Sequence, residues 1–171
     1  MAITNNVTRM LESKKIKFKS FELPSEKLSA TETALLLNVS PSIVFKTIVV
    51  VREREKPLLC VIPAPNEVDL KAVASLCNEK KVRVPSQNEA EKLTGLLAGG
   101  ISPLALINKG FTTYLDESAN QFESIHISGG QRGLNIKLPV SSLLALTHAR
   151  LAKISLPIAE SPDKFLHNFP Q

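Results

Sequence analysis

The sequence predicts one α+β domain with a mixed, strongly curved, barrel-like sheet flanked by short helices. Three observations carry this reading. Strand-like runs come in neighbouring pairs, and between them lie short windows of helical periodicity with recognisable caps. The chain has 171 residues, 43% hydrophobic and 22% charged, which suits one ordinary domain with its own core. That core must be aliphatic, because tryptophan is absent and aromatic residues make up only 5% of the chain.

In chain order, Val7, Met10 and Leu11 fall at helical spacing within residues 5–14, and Lys14-Lys15 suits a helix C-terminus. Ile16 to Leu23 alternates and stops at Pro24, giving a first strand with a basic outer face that bears Lys17 and Lys19. Ser29-Ala30-Thr31-Glu32 is a capping box that opens a short helix through Leu37, ended by Asn38 and Pro41. Ile43 to Val51 is the most strand-prone run of the chain, rich in β-branched residues and free of glycine and proline. Its apolar residues occupy both faces, so it is expected at the centre of the sheet. After a charged turn at Arg52–Lys56, Pro57 to Ile62 reads as its antiparallel partner, broken by Pro63-Ala64-Pro65. Asp69 caps a helix through Leu76, and a short strand is expected at Lys81–Val84. Ser86-Gln87-Asn88-Glu89 opens a helix that Gly95 ends. Strands follow at Thr112–Leu115, Ser124–Ser128 and Leu134–Leu138, and Pro139 starts a last helix. From about residue 155 the chain is proline-interrupted and patternless, and reads as a surface tail.

Composition narrows the function classes. A formal charge of +5 permits a polyanionic partner without requiring one. Cys60 and Cys77 sit among apolar neighbours, as buried free thiols of a reducing compartment do. The N-terminus carries no basic region followed by an apolar run, and no apolar run approaches the roughly 18 residues that span a bilayer. A soluble, cytoplasmic protein with no membrane contact is expected.

Alternation puts Lys46 on the same face of the central strand as Val44, Ile48 and Val50, where an ammonium is costly. Either Lys46 snorkels from a sheet end, or it lines a cleft with an anionic partner. The usual catalytic sets are missing. His126, His148 and His167 lack metal-ligand spacing, so neither a metal site nor a cofactor is expected, and His126 reads as an outward or satisfied strand residue. Two glycine-rich loops remain. Gly99-Gly100-Ile101-Ser102-Pro103 offers free backbone N–H donors at its first four residues, able to hold a carbonyl or developing oxyanion. Ser128-Gly129-Gly130-Gln131-Arg132-Gly133 can form an anion-holding nest, with Arg132 to pair a phosphate. Taken alone, each loop also reads as a tight turn between strands.

Val44-Phe45-Lys46-Thr47, Val68-Asp69-Leu70-Lys71, the run from Thr94 to Leu104, and Ile127 to Leu134 together resemble the YbaK/EbsC-type aminoacyl-tRNA deacylases. These are relatives of the editing domain inserted in bacterial prolyl-tRNA synthetase. The resemblance covers about residues 5–150, marking 1–150 as the domain and leaving 151–171 as a tail. It is greatest to the free-standing Cys-tRNA(Pro) deacylases.

The resemblance implies hydrolysis of the ester joining a wrong amino acid to tRNA(Pro), with cysteine first and alanine next. Lys46 would hold the 3′-terminal adenosine and its phosphate, flanked by Phe45 and Thr47. The backbone of Gly99, Gly100, Ile101 and Ser102, stiffened by Pro103, would grip the aminoacyl carbonyl. Ser128, Gly129, Gly130, Arg132 and Asn135 would line the other wall. The family has no dedicated protein nucleophile: attack comes from the thiol of a cysteinyl substrate or from an activated water. A synthetase, prolyl-tRNA synthetase first, would be the protein partner. Asn135 departs from the aspartate of Cys-specific members, and Phe45, Ala105 and Ser29 also differ from common family residues. A non-catalytic module of the same fold, binding a tRNA end or another nucleotide, is the competing reading.

Overall fold

The computed structural model describes residues 3–158. Helix α1 (Asn6–Ser13) is held by Asn5, whose side chain accepts from the Thr8 N–H while Thr8 returns a bond to the Asn5 backbone. Strand β1 (Lys19–Glu22) and helix α2 (Ala30–Leu37) follow, α2 opening on the expected Ser29–Glu32 capping box. Then come β2 (Phe45–Val50), β3 (Leu58–Pro63), β4 (Asn66–Val68), α3 (Leu70–Leu76) and α4 (Gln87–Thr94). The chain continues through β5 (Thr112–Asp116), β6 (Ser124–Ser128), β7 (Leu134–Pro139), α5 (Val140–Thr147), β8 (Arg150–Ala152) and β9 (Ser155–Pro157).

The strands form three sheets, ordered β1-β7-β6, β2-β3-β5-β8 and β4-β9. The second is mixed, since β2 and β3 run antiparallel while β3, β5 and β8 are parallel. A single bridge between Val44 and His126 joins the first two sheets edge to edge. The α+β class and the mixed sheet hold. The strands divide among three sheets, and no closed barrel is found among the described residues.

Strand β2 is central for the reason its sequence suggested. Phe45 packs into a cluster with Val61, Leu115, Ile127 and Ile136, while Val50 joins Leu58, Cys60, Ile62 and Ile154 on the other face. Each fully buried aliphatic side chain contributes about 1.5–3 kcal/mol, so a central strand with apolar residues on both faces is strongly fixed in register. Cys60 and Cys77 are both free; Cys60 is buried, which pushes its thiol up to about 12, and Cys77 is half-buried.

Three segments differ from expectation. The first strand starts at Lys19, not Ile16, because the Ile16 N–H closes the end of α1 on the Leu11 carbonyl. At Lys81–Val84 only Arg83 pairs, in a two-way bridge with Val51. The start of the expected tail instead supplies β8 and β9. Buried Asp116 holds it: one carboxylate oxygen accepts from the Ile154 N–H and the Ser155 hydroxyl at 3.2 and 2.9 Å. The rest of the expected tail, from residue 159 on, lies outside the described residues.

Candidate functional site

A cleft of about 500 Å³ opens beside β2. The start of α2, the loop through Gly99 and Ile101, the end of β6 and the start of β7 complete its walls. Phe45, Lys46, Thr47, Gly99, Ile101, Ser128 and Asn135 all line it. Residues far apart in the sequence therefore meet here, as expected for a site at the meeting of two sheets.

Lys46 projects from β2 on the face of Ile48 and Val50, half-buried, and its Nζ donates to the carbonyl oxygen of Ala64 at 3.0 Å. That carbonyl sits in the Pro63-Ala64-Pro65 break that ends β3. Burial lowers the lysine pKa below its ordinary value, and the nearby Glu67 carboxylate partly opposes this. Lys46 faces the cleft with its chain directed by one carbonyl.

The first glycine loop is built by close approach. A Cβ on Gly100 would lie 2.8 Å from the Cα of Gln131 and 2.9 Å from the Arg132 nitrogen, so only glycine lets the two loops touch. The Gly100 N–H is not free as expected: it bonds the Leu97 carbonyl at 2.8 Å, closing a turn. The N–H groups of Gly99, Ile101 and Ser102 have no protein partner among the described residues. Ser102 is fully buried, and its hydroxyl accepts from the Leu104 N–H to cap the turn at Pro103–Leu106. Its side chain serves the loop, and does not reach the cleft.

The second loop supports the first. Arg132 was expected to pair a phosphate, but its Nε donates to the Ala98 carbonyl at 2.7 Å and clasps one loop to the other. Asn5 donates to the Gly129 carbonyl and the Gln131 side chain, both at 3.0 Å, which ties the loop to α1. The Gly129 N–H bonds the Leu134 carbonyl, and the Ser128 hydroxyl accepts from the Gly130 N–H. Of this segment only Ser128 and Gly133 reach the cleft. Gly100, Ser102, Pro103, Gly129, Gly130 and Arg132 stand behind its wall.

Asn135 is buried at the cleft wall, and its Oδ1 lies 2.8 Å from Nδ1 of buried His126. A carbonyl oxygen only accepts, so His126 Nδ1 carries the proton. Burial lowers the His126 pKa; the bond to Asn135 opposes this and the charge of Lys137 adds to it. His126 is therefore a satisfied, buried strand histidine, packed against Phe21. Sequence reasoning missed Ala64 and the His126–Asn135 pair. For Ala64 the signal was a carbonyl between two prolines; for the pair, it needed the β6–β7 register. Among the described residues no group of three potential ligands is placed to hold a metal ion.

Residues 25–146 match the model of the aminoacyl-tRNA editing domain family. A protein of Enterococcus faecalis (strain ATCC 700802 / V583), described as "Putative Cys-tRNA(Pro)/Cys-tRNA(Cys) deacylase EbsC", is 37% identical over 152 residues, 88% of this chain and 92% of that one. Among solved structures, "a putative trans-editing enzyme for prolyl tRNA synthetase" superposes with a TM-score of 0.75 at 25% identity, covering 91% of this chain and 99% of that one. The hypothetical protein APE2540 superposes with a TM-score of 0.81 at 23% identity, covering 89% and 100%, and shares the fold.

Proposed function

The chain belongs to the aminoacyl-tRNA editing domain family and is an aminoacyl-tRNA deacylase, and on that premise we propose that it clears mischarged tRNA(Pro). Cysteinyl-tRNA(Pro) is the first candidate substrate and alanyl-tRNA(Pro) the second. The relative described as acting on Cys-tRNA(Pro) and Cys-tRNA(Cys) supports cysteine. In this reading prolyl-tRNA synthetase presents the tRNA, in the cytoplasm where translation runs.

The observation that carries the residue roles is Lys46, a half-buried ammonium in the cleft directed by the Ala64 carbonyl. A cation with few waters around it is a strong counter-ion for a single phosphate, here that of the 3′-terminal adenosine. The N–H groups of Gly99 and Ile101 then receive the ester carbonyl and stabilise its oxyanion. The Asn135 amide bounds the amino-acid end as a neutral group. The substrate's thiol, or a water for other amino acids, attacks the carbonyl carbon. The ester C–O bond breaks, the leaving ribose 3′ oxygen takes up the proton lost by the nucleophile, and in the thiol route a water then hydrolyses the resulting thiolactone to free cysteine. The protein contributes positioning and electrostatics, which account for large rate factors without a protein nucleophile.

A panel of aminoacyl-tRNAs tests this directly. Release of cysteine from tRNA(Pro), faster than release of proline, is the expected result. Binding without release from any member of the panel overturns the catalytic assignment in favour of a tRNA-end binding module.

A further inference from the structure

We propose that the cleft-side face of the β1-β7-β6 sheet is the track on which the single-stranded 3′ end of the tRNA reaches the cleft, Phe21 stacking a base and Lys19 and Lys137 binding phosphates. The inference rests on the deacylase reading above and adds to it the surface that holds the substrate outside the cleft.

The register of the sheet sets out this face row by row. Ser128, Asn135 and Phe21 are cross-strand neighbours, and Ser128 and Asn135 line the cleft. The next row on the same face, about 6.7 Å further along the strands, is His126, Lys137 and Lys19. Ile16 and Phe18 pack into the core, which leaves Lys17 on the outer side with Lys19. The opposite face of the sheet is apolar, carrying Ile125, Ile127, Ile136 and Leu138.

Two features of these rows suit an anionic ligand. Lys19 and Lys137 stand directly opposite each other, and like charges in that position repel. Neither Lys17, Lys19 nor Lys137 has an ion-pair partner among the described residues. The acid nearest Lys19 in sequence, Glu22, is three steps along β1 and alternates to the other face, opposite Leu134. Between the cleft and the lysines lies Phe21, half-buried, its ring tilted 51° over His126 with centroids 5.4 Å apart. An aromatic platform beside a basic track is how single-stranded nucleic acid is held without regard to sequence. A duplex reader needs an element shaped for a groove; a sheet face beside a cleft suits an unpaired end.

The test compares wild type with Lys19→Gln/Lys137→Gln on full-length cysteinyl-tRNA(Pro) and on the cysteinyl ester of adenosine 5′-monophosphate. The full-length substrate is expected to show a KM raised about tenfold with kcat unchanged. The slope of log KM against log salt should fall by about 1.4, at roughly 0.7 for each lost single-strand phosphate contact. Hydrolysis of the nucleotide ester should match wild type, and relief of the lysine pair should leave Tm equal or higher. Phe21→Leu should raise KM for the full-length substrate without altering the salt slope. An unchanged KM and salt slope in the double variant overturns the track. So does an equal loss on the nucleotide ester. If wild type releases no amino acid from any tRNA, the deacylase reading fails instead; the salt slope for uncharged tRNA then still reports on the two lysines.

Discussion

The amine of Lys46 on β2 and the carbonyl of Ala64, within the Pro63-Ala64-Pro65 break that ends β3, are joined by a 3.0 Å hydrogen bond that holds a partly desolvated charge at the cleft wall. Burial disfavours that charge, and on the proposed reading a substrate phosphate offsets the cost. Lys46→Met should therefore reduce deacylation at least a hundredfold while Tm stays level or rises. A Tm lowered by several degrees with activity kept would make Lys46 a structural residue.

The same lysine gives a pH signature. Its pKa lies below the ordinary lysine value, so it discharges at a lower pH than an exposed lysine does. Titrated by calorimetry, adenosine 5′-monophosphate should bind progressively more weakly as pH rises towards the ordinary lysine range. Lys46→Met should flatten the profile. A profile that persists unchanged in the variant assigns the titration to another group.

Gly100→Ala puts a methyl group against the backbone of Gln131. Backbone cannot swing aside as a flexible side chain can, so the two loops must part at about 1–3 kcal/mol. At roughly 2–4 °C per kcal/mol for a chain of this size, Tm should fall by about 2–12 °C. The fall in kcat should accompany it, because Gly99 and Ile101 ride on the displaced loop. Thermal melting and steady-state kinetics of one preparation check both.

Arg132→Gln removes the Nε–Ala98 clasp. If the residue spans loops instead of holding phosphate, kcat should drop about tenfold while the salt dependence of KM stays that of wild type. A salt slope reduced by about one would return Arg132 to phosphate binding.

His126 makes stability depend on pH. Its folded pKa is below the ordinary histidine value, so the unfolded chain takes up the proton first as pH falls. Stability is then greatest above the ordinary value of about 6.5 and declines through the window down to the folded pKa. Tm measured from pH 8 to pH 5 should show this decline, and His126→Phe should reduce its slope. Asn135→Asp should raise the His126 pKa, because it replaces a neutral acceptor with a charged one 2.8 Å away.

How much of this was readable beforehand follows from the range of the interactions involved. Strand β2 and the caps Ser29, Asp69 and Ser86 are local chemistry, and each formed as the residues implied. The family resemblance picked out Lys46, Gly99, Ile101, Ser128 and Asn135, which do meet in one cleft. Whether a loop N–H is free or spent is decided by partners elsewhere, and so the Gly100 N–H, expected free, is bonded to Leu97. Strands β4, β8 and β9 have three residues each, too few for any alternation to register. They exist because their partners are waiting, and Asp116 fixes the last of them from 38 and 39 positions away.

That late closure has a consequence for biosynthesis. β8 supplies the outer neighbour of β5, and β9 pairs Ser155 with Val68. A nascent chain emerging from the ribosome therefore shows an open edge on β5, and a second on β4, until residues 150–157 clear the exit tunnel. Until then the chain has Lys46, both glycine loops and the cleft-lining residues but lacks the strands that finish its sheets, which makes this interval its main exposure to chaperones and to self-association. Parallel, long-range pairings such as β5 with β8 are also slow to form, so the step that completes the enzyme is the one most sensitive to truncation at its C-terminal end.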